Sequence, residues 1–378
     1  MSASEPSFTL GIEEEYFLVD RQSRDLVRER PEKMMAELER RCAGQIVPEF
    51  LNAQIEVGTK VCGSLAEARA DLATLRRTIA EVAGEYGLAI IAASTHPFAA
   101  WGDQTHTNKE RYNVLASDLQ AVARRLLICG MHVHVALDDD ELRIDLLGQV
   151  AYFLPHLLAL STSSPFWRGE DTGLKSYRIA VFDELPRTGL PEQFDSWAEY
   201  DRHVGILVQA GLIEDASKLW WDIRPSARFP TLEMRLCDVP TRLDDTLCIA
   251  ALYRCILHML YRLRRDNQRW RRYRAMLIAE NRWRAQRYGI DDRLVDFGKG
   301  RMVDYTALLD EIRAILSEDA QRLGCEAEVA HASTILQRGT SAHHQTNVFR
   351  RAKEAGADRQ EALIAAVDWL IEETVAGI

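Results

Sequence analysis

Residues 11–20, with the sequence GIEEEYFLVD, hold the stretch that decides the fold. Side chains alternate across a β-strand, so Glu13 and Glu15 share one face of this segment, opposite Ile12. The apolar residues around them predict that the strand is largely buried. Two carboxylates roughly 7 Å apart on one buried face repel each other unless a cation lies between them. The pair therefore indicates a divalent cation, with an exposed or arginine-paired strand as the alternative.

Three later segments repeat this arrangement, with polar groups on one face of a predicted strand and apolar residues on the other. They are LNAQIEV (51–57) with Glu56, CGMHVHV (129–135) with His132 and His134, and TLEMRLC (231–237) with Glu233 and Arg235. Taken singly, the histidines could be merely hydrogen-bonded and the last pair a structural salt bridge. Together the four strands predict an antiparallel sheet that turns these groups toward one concave surface, with helices on its apolar side.

The residue types on this surface indicate a chemistry. Oxygen ligands with one or two histidines suit Mg²⁺ or Mn²⁺ better than zinc. Clustered carboxylates with an arginine are typical of metals that bridge nucleotide phosphates. The sequence has neither G-x-x-x-x-G-K-[ST] nor G-x-G-x-x-G, so metal and side chains are expected to hold the phosphates. Cys129 is interpreted as a small buried residue, because its apolar neighbours would raise the pKa of a nucleophilic thiol.

Composition excludes several classes of protein. The 378 residues include 47 Lys and Arg against 57 Asp and Glu, a net charge of −10, which argues against a general nucleic-acid binder. We identify no run of roughly 18 apolar residues, so no membrane span is predicted. The first residues lack a signal-peptide pattern. Seven scattered cysteines without a C-x-x-C pair indicate buried thiols in a cytoplasmic protein.

The pattern along the chain predicts a single domain over residues 1–378, with a mostly helical part from about 243 to 378. A helix is expected over Lys109–Leu127 and another over Asp140–Leu160, and a long loop over Thr162–Arg187. The basic segment Arg262–Arg287 could bind RNA or phosphate. The overall charge favours a solvated face, packing on a neighbour or a subunit contact instead, and the last is compatible with a homodimer.

The motifs together resemble the YbdK-type carboxylate–amine ligases, also called the type 2 glutamate–cysteine ligase-like family. The matching pieces, in the order of the family, are GIEEEYFLVD, LNAQIEVGT, CGMHVHVAL, DTGLKSYR, WWDIRPS, TLEMRLCDVPT and QRGTSAHHQ. They run from about residue 8 to 350. The chain departs from the expected pattern where His343 and His344 replace an Asp-Arg pair, and we expect these two histidines to be exposed.

The resemblance implies an α+β, glutamine-synthetase-like fold, in which a curved antiparallel sheet forms a funnel-shaped active site with helices on its outer face. It also implies an ATP-dependent ligase. ATP phosphorylates a carboxylate, typically that of a glutamate-like acid, an amine such as cysteine attacks the acyl phosphate, and ADP and phosphate leave. The partners would be small amino acids and amines, with no nucleic acid and no membrane.

The resemblance further implies roles for individual residues. The implied metal ligands are Glu13, Glu15, Glu56, His132 and Glu233. Arg235 would steady the γ-phosphate and act in catalysis with Glu233, while His134 would be a neighbour of the metals or contact the nucleotide. Arg224 and Arg178 are weaker candidates for the phosphate or the substrate carboxylate. Arg224 could instead pair with Asp222 or Glu233, and Arg178 could be an ordinary loop charge.

Two other functions are compatible with the same polar face. A metal-dependent hydrolase or phosphatase would use the same carboxylates and histidines but would turn over without ATP. A nucleotide- or amino-acid-binding protein would bind Mg·ATP and show no turnover. Specificity is expected to depend on Thr162–Arg187 and on the region around Trp101–Arg111.

Overall fold

The computed structural model describes residues 5–42, 44–105 and 125–378. The predicted helix Lys109–Leu127 lies outside these ranges apart from its last three residues, which are not helical, and most of the region Trp101–Arg111 also lies outside them. The described strands are β1 (Leu10–Asp20), β2 (Ile46–Pro48), β3 (Gln54–Gly58), β4 (Leu88–Ile91), β5 (Met131–Ala136), β6 (Phe166–Trp167), β7 (Glu170–Asp171), β8 (Thr188–Gly189), β9 (Trp220–Trp221), β10 (Ile223–Pro225), β11 (Thr231–Met234), β12 (Arg293–Asp296) and β13 (Arg301–Asp304).

Fourteen α-helices accompany these strands within the described ranges. They are α1 (Glu32–Arg41), α2 (Leu65–Glu85), α3 (Asp140–Val150), α4 (Leu154–Ser161), α5 (Tyr177–Phe182), α6 (Trp197–Gln209), α7 (Leu243–Arg265), α8 (Ala275–Tyr288), α9 (Tyr305–Ile315), α10 (Ser317–Leu323), α11 (Glu326–Ala330), α12 (Ala332–Arg338), α13 (Ser341–Glu354) and α14 (Arg359–Thr374). Helices dominate after residue 243, as predicted, with the β12–β13 hairpin among them. One hydrophobic core cluster extends from Phe8 to Leu370, and the single domain stays a prediction.

The long strand β1 organises the main sheet. It pairs in antiparallel fashion with β3, β4 and β5, and the sheet has the order β10-β11-β5-β1-β3-β2, with β4 beside β1. The predicted antiparallel sheet is therefore confirmed. Its register sets the polar residues of neighbouring strands opposite each other, in the pairs Glu15–Glu56, Glu13–His132, Glu233–His134 and Arg224–Glu233.

Helices cover the other face of the sheet, where the polar residue Glu14 lies in the core. Arg76 of α2 forms an ion pair with Glu14, with 2.6 Å between Nη2 and Oε1, and both side chains are fully buried. Thr246 of α7 donates a hydrogen bond to the same oxygen at 2.6 Å, and Tyr16 donates one to Oε2. This cluster connects α2 and α7 to β1. The buried carboxylate of Glu14 is accommodated in the core because its partners satisfy its charge and its hydrogen-bonding capacity.

Two helical stretches correct the expectation that no apolar run is long enough to cross a membrane. By length and composition alone, residues 140–161 and 243–265 could cross a membrane. Both are mostly buried within the protein, as is usual for core helices.

Two predicted elements differ in the structure. The helix predicted over Asp140–Leu160 divides into α3 and α4 at a 3₁₀ turn, Ala151–Phe153, just before Pro155, whose ring and missing N–H disfavour a continuous helix. The prediction of one loop over Thr162–Arg187 was wrong, because this segment contains β6, β7 and α5. Its serines are held by the buried carboxylate of Asp238, which accepts hydrogen bonds from the hydroxyl groups of Ser164 and Ser176 at 2.8 Å.

Candidate active site

The concave face of the sheet encloses a cavity of about 550 Å³. Strands β1, β3, β5 and β11 form its floor, and the segments around 178–185 and 214–229 contribute to its walls. All nine predicted site residues line it: Glu13, Glu15, Glu56, His132, His134, Arg178, Arg224, Glu233 and Arg235. Strand alternation thus brings together the residues that the sequence singled out, although they are up to 222 positions apart, between Glu13 and Arg235.

One group of possible metal ligands lies where β1, β5 and β11 meet. Among the described residues, ligand atoms of Glu13, His134 and Glu233 all lie within 4.8 Å of one another. Nε2 of His134 is buried, 3.4 Å from Oε1 of Glu13, and has no hydrogen-bond partner. Nδ1 of the same ring is hydrogen-bonded with Thr231 at 2.9 Å, which fixes the ring with Nε2 toward the carboxylates. His132 is not in this group, and its Nδ1 lies 3.0 Å from Oε2 of Glu13.

The electrostatics around this group favour an ionised Glu13 and a neutral His132. Burial alone would raise the pKa of Glu13, but the interactions with His132 and His134 outweigh burial, so the pKa lies well below its ordinary value. Burial, reinforced by the charge of Arg235, lowers the pKa of His132 to about 4. The ionised carboxylate is the form in which Glu13 can accept a cation.

A second acidic group lies further along the strands. Glu15 and Glu56 are opposite each other across β1 and β3, and Glu49 is close to both. Burial and then the charge of Glu49 raise the pKa of Glu15 to about 7, and the same two causes raise the pKa of Glu56 well above its usual range. The backbone N–H of Gly130 donates to Oε2 of Glu15 at 2.7 Å. Three neighbouring acids whose charged forms are destabilised by burial and mutual repulsion are typical of a divalent-cation site.

Glu49 was missed by the sequence analysis. It lines the cavity but lies between β2 and β3, where no strand alternation assigns its side chain to a face. Strand β2 ends at Pro48, and β3 begins only at Gln54, three residues into the segment 51–57 that was predicted as a strand. In the sequence, Glu49 is only an acidic residue after a short apolar run, seven positions before Glu56. Without the fold, this pattern does not indicate a site residue.

Two arginines hold the carboxylate of Glu233. Arg224 donates from Nε and Nη2 to the two carboxylate oxygens at 2.9 and 3.1 Å, which is the pairing that the sequence analysis left open. Arg235 donates from Nη1 to Oε1. Burial would raise the pKa of Glu233, but the charges of Arg235 and Arg224 hold it far below the ordinary value. Glu233 is therefore a fixed, ionised group beside His134.

Arg178 is a buried residue in the wall of the cavity. Its guanidinium donates to the backbone carbonyls of Leu236 at 3.0 Å and Arg235 at 3.2 Å, so it positions the end of β11. A Cβ on Gly130 would lie 2.3 Å from Nη2 of Arg178, so a side chain there would displace the guanidinium from this position. Arg178 is thus more than a loop charge, while its predicted contact with a substrate carboxylate stays a prediction.

The remaining sequence expectations concern residues away from this centre. Cys129 is fully buried and burial raises the pKa of its thiol well above the usual range, as expected. The prediction that His343 and His344 are exposed was wrong. His343 is partly buried and lies 2.8 Å from Asp291, and His344 stacks on the ring of Trp369 at 5.2 Å.

Comparison with known proteins decides the family. The family model of glutamate-cysteine ligase family 2 matches residues 9–366. The chain belongs to this family. A protein of Rhodospirillum rubrum, provisionally named glutamate–cysteine ligase 2, is 66% identical over 376 residues, which cover 98% of this chain and 97% of the relative. A relative of the same name from Jannaschia sp. is 54% identical over 370 residues, with coverage of 98% and 97%.

Solved structures with low sequence identity share the fold. The bifunctional glutathione synthetase of Pasteurella multocida matches with a TM-score of 0.69 at 15% identity, over 96% of this chain and 52% of that chain. The glutamate–cysteine ligase of Francisella tularensis, solved in complex with AMP, matches with a TM-score of 0.67 at 15% identity, over 97% and 89%. The predicted α+β, glutamine-synthetase-like architecture is confirmed, and the family confirms the predicted class of enzyme, an ATP-dependent ligase that forms a C–N bond.

Proposed function

We propose that this ligase phosphorylates the carboxylate of a glutamate-like amino acid with ATP and joins it to the amine of a cysteine-like substrate, releasing ADP and phosphate. The names of the relatives support this substrate pair, and the AMP in the Francisella structure supports an adenine nucleotide. The observation that carries the proposal is that the cavity face of the sheet holds two clusters of carboxylates, one with Glu13 and Glu233 and one with Glu15, Glu56 and Glu49, together with Arg235. The comparisons give no support to a hydrolase or to a binding protein without turnover.

The proposal assigns Mg²⁺, or Mn²⁺, to two positions that fit the residues present. Glu13, His134 and Glu233 would hold one ion, which is supported by the orphaned Nε2 of His134. Glu15, Glu56 and Glu49 would hold another, which is supported by the raised pKa values of the first two. Bound there, the ions would neutralise the phosphate oxygens. In this assignment His132 acts through its hydrogen bond with Glu13, which revises the role implied by the resemblance.

The protein's own side chains would prepare the transfer. The guanidinium of Arg235 lies beside Glu233 and His132, where it could stabilise negative charge on the transferred phosphoryl group. Arg224 fixes Glu233, and Arg178 fixes the backbone of Arg235. Because phosphoryl transfer depends on positioning and charge more than on a covalent nucleophile, this arrangement needs no reactive serine or cysteine.

We also propose a cytoplasmic location and small-molecule partners only. All seven cysteines are buried and free, which supports a reducing compartment. In the segment Arg262–Arg287, several arginines are engaged in ion pairs with acidic side chains, for example Arg264 and Arg269 with Asp145, which supports a structural role over nucleic-acid binding. The homodimer stays a prediction.

The decisive test measures ADP release with Mg·ATP, a panel of amino acids and a panel of amines. We expect release only when an acid and an amine are both present, with glutamate and cysteine among the active pairs. The variant Glu233→Gln should lose activity while keeping its fold, whereas Glu81→Gln, which changes an exposed acid on α2, should keep the wild-type rate. Phosphate release without nucleotide would favour a hydrolase, and full activity in Glu233→Gln would place the site elsewhere.

A further inference from the structure

Phe229 is an exposed aromatic residue beside the active site that the proposed chemistry does not use. Its side chain is 56% exposed, although phenylalanine is usually buried. It lies in the turn between β10 and β11, which separates the active-site cavity from a neighbouring cavity of about 580 Å³, and it lines both. Among the described residues, it is therefore an apolar ring placed at the boundary of two cavities.

The turn holds this ring in a defined position. The hydroxyl oxygen of Ser226 accepts hydrogen bonds from the backbone N–H groups of Arg228 and Phe229, both at 3.3 Å. The N–H of Thr231 donates to the carbonyl oxygen of Phe229 at 2.7 Å. The ring meets that of His134 edge to face, with 6.1 Å between centroids. Phe229 is thus fixed beside one of the proposed metal ligands while much of its surface stays accessible.

The order of residues along the strands gives the cavity two distinct ends. Phe229 and Thr231 lie at one end of β11, next to the row formed by His134 and Glu233. The acidic group with Glu15 lies at the other end, four residues along β1 from the level of His134, or roughly 14 Å. A nucleotide whose phosphates lie beside Glu13 and Glu233 must direct its base toward one of these ends.

The other aromatic rings that line the cavity are already engaged. Phe50 is buried. The guanidinium of Arg178 lies 5.3 Å from the centroid of Phe182, and that of Arg187 lies 5.4 Å from the centroid of Trp220. Among the aromatic residues of the cavity within the described ranges, Phe229 alone combines high exposure with contact to a proposed metal ligand.

We propose that Phe229 is the platform on which the purine base of the bound nucleoside triphosphate stacks, with the triphosphate directed along β11 toward Glu15. The inference rests on the proposed ATP-dependent function and adds the orientation of the nucleotide to it. An aromatic side chain offers any base a flat partner, and such stacking contributes to affinity without reading hydrogen-bond donors and acceptors. The turn between β10 and β11 is then the rim of the nucleotide subsite.

The test compares two ligands that differ in the presence of a base. Calorimetry measures the binding of a non-hydrolysable ATP analogue and of inorganic tripolyphosphate, each with Mg²⁺, to the wild type and to Phe229→Ala. We expect Phe229→Ala to bind the ATP analogue about tenfold more weakly and tripolyphosphate as the wild type does, since stacking on an aromatic contributes on the order of a tenfold change in affinity. Phe229→Tyr should retain wild-type affinity for both, and Met276→Ala, at a 78% exposed residue of α8, is the matched control.

Each alternative outcome has a distinct meaning. Equal affinity of Phe229→Ala and wild type for the ATP analogue overturns the proposal, as does an equal loss for both ligands, which would assign Phe229 a structural role in the turn. A change in sedimentation without a change in nucleotide affinity also overturns it, in favour of a protein contact. If the wild type itself binds neither ligand, the proposed ATP-dependent function fails first and this inference with it.

Discussion

Glutamate side chains on the two faces of β1 have opposite electrostatic environments. Glu14 points into the helical layer, where the guanidinium of Arg76 and two hydroxyl groups satisfy its charge within the protein. Glu15, its direct neighbour in sequence, points into the cavity, where burial and then the negative charge of Glu49 raise its pKa to about 7. Of these consecutive glutamates, Glu14 therefore has its charge compensated within the protein, whereas Glu15 requires a bound cation to compensate its charge.

This difference separates a structural acid from a functional one. On the core face, a buried carboxylate such as Glu14, with a cation and hydrogen bonds, anchors the fold, and its loss should lower stability without a direct effect on chemistry. A carboxylate buried among other acids reduces the stability of the metal-free protein, and its loss should affect chemistry without damaging the fold. Substitutions on the two faces should therefore change different measurements.

The largest effect is expected for Glu15→Gln on the cavity face. Removing this charge should reduce the rate of ADP release about 1000-fold, comparable to the loss of a key electrostatic group in other enzymes. The midpoint of urea unfolding at pH 8 in EDTA should stay the same or rise, because a buried charge among acids is removed. A rate within threefold of the wild type, or a protein that unfolds, would contradict the distinction between the faces.

A large loss of stability is expected for Arg76→Met on the core face. The substitution leaves the carboxylate of Glu14 buried without its cation, which costs about 3–5 kcal/mol in the free energy of unfolding. The double variant Arg76→Met with Glu14→Leu removes both charges and should recover much of that loss. Urea denaturation of the three proteins measures this. A single variant as stable as the wild type would show that the ion pair does not anchor α2 to β1.

The pH dependence of stability should reflect the cavity face. The pKa of Glu15 is raised from 4.5 to about 7 in the folded protein. The folded state thus binds this proton more tightly than the unfolded state, so the contribution of Glu15 to stability falls as pH rises from about 4.5 to about 7, by on the order of 3 kcal/mol. Denaturation in EDTA across this range should show the decline, and Glu15→Gln should show a weaker one.

Added Mg²⁺ provides the control for this pH profile. At pH 8, added Mg²⁺ should increase the free energy of unfolding of the wild-type protein, because the ion binds the folded state and compensates the acidic charges. Glu15→Gln should gain less from the same ion. An identical pH profile in the wild type and in Glu15→Gln would contradict the assignment of the decline to the cavity acids.

Both faces of β1 could be predicted from the sequence because strand alternation is a local property. Glu13, Glu15, Glu56 and Glu233 needed only their strands to be recognised, and the register then brought them together. The break in the predicted helix over 140–160 also had a local signal in Pro155, which the helical period outweighed.

Other features depend on contacts that no local pattern contains. The partner of Glu14 is 62 positions away on α2, and Asp238 holds the segment around Ser164 and Ser176 from a distance of more than 60 positions. Glu49 joins the acidic group from a connection between strands. Strand alternation places His132 and His134 on the same face, so it cannot decide which of them is the metal ligand. That choice depends on the orientation of each ring, which the hydrogen bonds of the two Nδ1 atoms determine.

A smaller effect on the core face should come from Thr246→Val, which keeps the shape of the side chain and removes one hydrogen bond to Glu14. Since Arg76 and Tyr16 still hold the carboxylate, we expect a loss of about 2 kcal/mol in the free energy of unfolding, as is usual for a hydrogen bond to a charged group. Thr74→Val, at an exposed threonine of α2, is the matched control and should change stability little. The rate of ADP release should be the same in all three proteins, because Glu14 faces away from the cavity. A Thr246→Val variant that keeps its stability but loses activity would mean that the two faces of β1 are coupled, and that Glu14 helps to place Glu13 and Glu15.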